Sequence, residues 1–148
     1  MPCPNSLRKY EMSVEDKDNA YTVCEEVAKI LAEKGVTKEC EEKLTRVFGE
    51  RGRRALKTVV LKRVKKYVLH PSRRVRWIIV GRGEEYLVIP LVKYCSCKDF
   101  FFYVMTGEAY MCYHLLAQKI AELSGLFSEV KESDDVYEKV IASRIFMG

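Results

Sequence analysis

Cys95 and Cys97 are separated by one residue, and after a spacer of fourteen residues Cys112 and His114 repeat that spacing. Three thiolates and one imidazole are the donor set that zinc takes in closed, tetrahedral structural sites. Two short pairs on either side of a loop can aim all four donors at one ion. The second pair opens an apolar run, Tyr113 to Leu123, that reads as a helix. A helix start favours thiolate over thiol and so favours metal binding. Four protein ligands leave no coordination position for water or substrate, so the expected ion is a structural Zn2+ and not a catalytic one. No glycine-rich phosphate loop and no serine nucleophile elbow accompanies it, and Glu84-Glu85 and Asp134-Asp135 suit a turn and a helix start. A non-enzymatic protein is expected.

The elements that must hold these ligands follow from periodicity. Residues 1–18 are polar and read as loosely held. Helices are predicted from about Asn19 to Lys34, with Val23, Val27, Ile30 and Leu31 on one stripe, and from Thr37 as cap through Phe48. Gly49 and Gly52 interrupt the pattern, and a short third helix is expected from about Arg53 to Lys62. From Lys65 the period changes to two. Tyr67–His70, Val75–Val80 and Glu85–Lys93 read as strands joined by turns at Pro71-Ser72-Arg73 and Gly81-Arg82-Gly83-Glu84. A last helix runs from Ser133 to about Phe146. The expected fold is α+β: N-terminal helices, a three- to four-stranded antiparallel meander, a zinc knuckle and C-terminal helices. The expected division is a helical segment, 1–62, and a sheet with the knuckle and terminal helix, 63–148.

Charge is distributed unevenly. The 148 residues carry a net charge of +5, yet residues 51–82 hold twelve basic side chains and no acidic one. Such a block is an electrostatic footprint for a polyanion, with a solvated cationic face as the other reading. On the first reading Lys62, Arg63, Lys65, Lys66, Arg73, Arg74 and Arg76 contact the phosphates of single- or double-stranded DNA. Phe100-Phe101-Phe102-Tyr103, read as a strand, either packs on both faces or turns aromatics such as Phe101 and Tyr103 outward to grip a partner. Cys24 and Cys40 lie on apolar stripes and read as core, the alternative being a second metal site or a redox pair. Trp77 and His70 read as a core residue and a strand-end residue.

The N-terminus has no secretory apolar stretch and no run approaches the ~20 residues of a membrane helix. An intracellular protein, cytoplasmic in a prokaryote, with no membrane partner, is expected. One Gln and two Asn beside many Lys, Arg and Glu are consistent with a thermophile, in which cytosolic disulfides occur.

Tyr94-Cys95-Ser96-Cys97-Lys98-Asp99-Phe100 and Met111-Cys112-Tyr113-His114-Leu115-Leu116-Ala117 resemble the SWIM zinc finger. The likeness spans about residues 85–124. It is similar in particular to the small SWIM subunits of the Shu recombination complex and their archaeal relatives. This resemblance implies zinc on Cys95, Cys97, Cys112 and His114, and an important small residue at Ala117. It implies a role in homologous recombination and DNA repair beside a RecA/RadA-type recombinase or its paralog, as an accessory that binds nucleic acid or as an adaptor that docks without DNA affinity. A homo- or hetero-dimer is compatible with either role. The DNA contacts come from the basic block and not from the resemblance.

Overall fold

A computed structural model describes residues 14–141, with side chains from 19 to 139; Cys3 and the part of the predicted last helix beyond residue 141 lie outside the described residues. Helix α1 spans Val14–Lys34, α2 Lys38–Phe48 and α3 Glu50–Val60. Ala20, Cys24, Val27, Ala28 and Leu31 are buried, recurring at the three- and four-residue spacing of one helical face. Thr37 caps α2 by accepting the Cys40 N–H on its hydroxyl. Helix α1 begins at Val14, five residues before the expected start at Asn19.

Helix α3 also begins earlier than its periodicity predicts. Gly49, at φ +64°, ends α2 and starts α3 in one step. Gly52 lies inside α3 and interrupts nothing. A Cβ there would sit 2.4 Å from the Leu44 carbonyl oxygen, so this glycine lets α3 cross α2 at backbone contact.

The sheet carries strands β1 (Val64–His70), β2 (Val75–Val80), β3 (Glu85–Ile89), β4 (Tyr94–Cys95) and β5 (Ser128–Ser133), in the order β4-β3-β2-β1-β5. The antiparallel meander is β1 to β4. The fifth strand adds to it, running parallel to β1 from Lys65 opposite Ser128 to His70 opposite Ser133. Its sequence, Ser-Glu-Val-Lys-Glu-Ser, places one apolar side chain in six, so no alternation marks it as a strand. The third strand ends at Ile89, where Pro90 starts a 3-10 turn through Val92. Pro90 has no N–H to continue the ladder.

Helix α4 (Tyr113–Ser124) lies between α1, α3 and the sheet. His114, Leu115, Leu116, Ala117, Gln118, Ile120 and Ala121 are all buried along it. One core joins Val27 and Leu44 of the N-terminal helices to Trp77 and Val88 of the sheet and to Leu116 of α4. Trp77 is buried, edge-on to Phe127 at 5.0 Å, and His70 is exposed at the strand end. Cys24 and Cys40 are core residues, and burial pushes the Cys24 thiol up to about 12, an inert thiol. Tyr67, Leu69, Ile78 and Leu87 form a smaller cluster on the other face of the sheet. It is covered by Tyr137, which opens the wider π-helical turns, Tyr137–Ile141, that continue helix α5 (Asp134–Val136). Ser133 caps α5 through the Val136 N–H.

Candidate metal centre

Cys95 ends β4, where pairing with Val88 of β3 fixes its backbone. Ser96 extends that pairing: its N–H donates to the Leu87 carbonyl and its hydroxyl accepts the Leu87 N–H, both at 3.0 Å. A serine between the two cysteines therefore replaces one rung of the ladder while the chain turns. Cys97 accepts the Phe100 N–H at 3.2 Å, which anchors the turn that follows. Cys112 is the N-cap of α4, its sulfur facing the Leu115 N–H at 3.5 Å. His114, the second residue of the same helix, lies against the rings of Tyr86 and Tyr113, with centroids at 4.2 and 3.9 Å. The Tyr86 hydroxyl donates to Glu84 at 2.7 Å.

The three sulfurs and a ring nitrogen of His114 lie within 4.8 Å of one another, and all four residues are buried. A tetrahedral ion with bonds of about 2.0–2.3 Å needs its ligand atoms within roughly 4 Å of each other, so a small contraction completes the shell. Two observations fit a metal. Both ring nitrogens of His114 are buried without a hydrogen-bond partner, an arrangement that buried polar atoms seldom adopt unless something else satisfies them. The thiols also compete for one negative charge. Contact with Cys112, then with Cys95, holds Cys97 far below the usual thiol range, with the nearby imidazole and the Phe100 N–H adding to this against the effect of burial. Cys95 is pushed far up by Cys112 and Cys97. Cys112 is lowered by Cys95 but raised more by Cys97 and burial, to about 12. A divalent cation would let all three ionise. A groove of about 320 Å³ is lined by Glu84, Lys98, Asp99 and Tyr113 together with Cys97 and His114.

The chain has a named relative. It is 27% identical over 124 residues, 80% of each chain, to the "Zinc finger SWIM domain-containing protein 7 homolog" of Dictyostelium discoideum. No protein-family model and no solved structure matches. The likeness covers far more than the knuckle, and it agrees with the Cys/His cluster in pointing to a metal-binding protein of zinc-finger type. Ala117, three residues after His114, is fully buried where α4 meets the rest of the core.

The aromatic run differs from its sequence reading. Phe100–Val104 is a π-helical turn and not a strand. Phe100 packs inward against Tyr94 at 5.3 Å, while Phe101, Phe102 and Tyr103 are 62%, 57% and 46% exposed. A four-residue aromatic run reads as a strand on propensity, but the chain has to turn immediately after Cys97, and a helical turn does so. Arg51 of α3 grips this turn. Its Nη2 and Nε donate to the two Asp99 oxygens at 2.8 and 3.0 Å, and its guanidinium lies 5.7 Å from the Tyr103 ring. Sequence spacing gave no sign of this clamp, because its partners lie 48 positions apart.

The seven basic residues do not form one compact patch. Lys62 and Arg63 sit where β1 begins, and Arg73 and Arg74 at the β1–β2 turn at its far end, a strand length of about 20 Å away. Lys65 and Arg76 lie on the sheet face away from α4, between those ends. Lys66 points to the other face, its ammonium 5.7 Å from the rings of Trp77 and Phe127. Arg74 pairs with Asp134 and Glu138 of the terminal helix at 3.7 and 3.5 Å. Among the described residues, Lys62, Arg63, Lys65 and Arg73 enter no salt bridge. Among the described residues, no helix is long and apolar enough to cross a membrane.

Proposed function

We propose that the protein is a non-enzymatic, zinc-stabilised accessory factor of homologous recombination and DNA repair, which binds nucleic acid through its basic face and assists a RecA/RadA-type recombinase. The recombination role follows from the resemblance to the small SWIM subunits of the Shu complex. The observation that carries the nucleic-acid part is the set of cations spread over β1 and its two ends, Lys62, Arg63, Lys65 and Arg73, which enter no salt bridge among the described residues. Phosphates are the ligands such a set suits, with steep salt dependence and little sequence preference. The closed Cys3His set supports a structural role for the ion. The test is titration of zinc-loaded protein against labelled single- and double-stranded oligonucleotides at several salt concentrations. Affinity should fall steeply with salt. Arg63→Glu with Lys65→Glu should abolish it at unchanged zinc content, and retained affinity would refute this contact face.

A second reading is favoured by Phe101, Phe102 and Tyr103, which the π-helical turn holds out from the body. Here the protein is an adaptor that docks on a recombinase paralog without DNA affinity of its own. Rigid aromatics on a fixed turn suit a protein interface better than a flexible loop does. Absence of oligonucleotide binding at low salt, with a recombinase paralog lost on Phe101→Ala, would select this reading.

A further inference from the structure

The sheet has two faces, and the terminal helix covers the one that α4 leaves open. That face carries Tyr67, Leu69, Ile78 and Leu87, flanked by Lys65 and Arg76. An aromatic and aliphatic sheet surface edged with cations is the kind of platform on which unpaired bases stack while their phosphates meet the edge.

What lies on it resembles a strand of nucleic acid in its chemistry. Asp134 accepts the Ser72 N–H at 3.1 Å and the Ser72 hydroxyl at 2.6 Å, and it pairs with Arg74 together with Glu138. The Tyr137 ring lies against Tyr67, 6.5 Å between centroids, with the Arg76 guanidinium beside its hydroxyl. Carboxylates thus occupy an arginine and a backbone N–H, and a planar ring occupies the tyrosine. Among the described side chains of this segment Tyr137 is buried, Val136 is 40% exposed, and the ion pair of Arg74 with Glu138 is half-exposed, a kind of pair that contributes little.

We propose that this sheet face is a single-stranded nucleic-acid platform which the chain's own segment, residues 134–141, covers in competition with the ligand. The inference rests on the nucleic-acid reading above and adds to it where the bases go and what must leave. An incoming strand exchanges its phosphates for the carboxylates on Arg74 and its base for the ring on Tyr67.

The test uses the full zinc-loaded chain and labelled oligo(dT). Asp134→Asn with Glu138→Gln should tighten binding about tenfold. Glu33→Gln with Glu42→Gln, equal in charge but on the N-terminal helices, controls for net charge and should change affinity far less. Hydrogen exchange of residues 134–141 in the unmutated protein should accelerate when oligo(dT) is added. If the unmutated protein binds and the sheet-face and control variants match each other, or exchange slows, the competition is refuted while the nucleic-acid reading stands. If neither the unmutated protein nor the variant binds at low salt, both fall together.

Discussion

Three thiols share a space in which only one of them ionises readily. Cys97 is the natural thiolate, and Cys95 and Cys112 retain their protons because each faces sulfur and little water. Zinc must displace those two protons, so the sign of its pH dependence is fixed: affinity rises as pH rises and falls as protons compete for the sulfurs. With two protons released, apparent affinity should change about hundredfold per pH unit near neutrality. Competition against a chromophoric chelator at three pH values measures this, and a flat profile would mean that the thiols are already ionised. That Cys95, Cys97, Cys112 and His114 come together was legible from spacing alone, because Cys-x-Cys and Cys-x-His are local patterns. The contact of His114 with Tyr86 and Tyr113 was only half legible: Tyr113 is its neighbour, whereas Tyr86 comes from another strand.

Helices and strands were legible where one face alternates with another, as in α1, α2, β1 and β2. They were not where a tertiary contact decides. Gly52 reads as a break because glycine is a poor helix former, but the close approach of Leu44 makes glycine the residue that fits. Substitution therefore separates two effects of opposite sign. Gly52→Ala should gain up to about 1 kcal/mol of helix propensity and lose more to the clash with the Leu44 carbonyl. We expect a net loss of about 1–3 kcal/mol in urea unfolding, and a more stable variant would show that α2 and α3 can separate at little cost. The strand β5 was hidden for a related reason. Its polar sequence carries no face of its own, and its place is set by the open edge of β1. The aromatic turn at Phe100–Val104 was hidden by its composition, which favours a strand that the geometry of the knuckle does not allow.

At the scale of the whole molecule, the metal centre and the N-terminal helices share one core: Cys95, Cys97 and Cys112 pack in the same cluster as Leu31, Leu44 and Val59. Metal removal should therefore not leave a folded helical half. A structural zinc supplies on the order of 10 kcal/mol, comparable with the entire stability of a small domain. Chelation should melt α1 to α3 together with the sheet in a single transition in far-ultraviolet circular dichroism, and Cys112→Ser should do the same without chelator. Survival of about half the helical signal would show two independent units. The strand order has a different consequence, one for synthesis. The first strand of the sheet has as its neighbour the last, so one edge of β1 stays open until Ser128–Ser133 has been made. At about 5–20 residues per second, that edge waits several seconds on the ribosome. During that interval Lys65 and Lys66 are the residues that deter other nascent strands from pairing with it, since charge on an open edge resists aggregation. The same lysines that mark the basic block would thus serve the newborn chain before they serve any ligand.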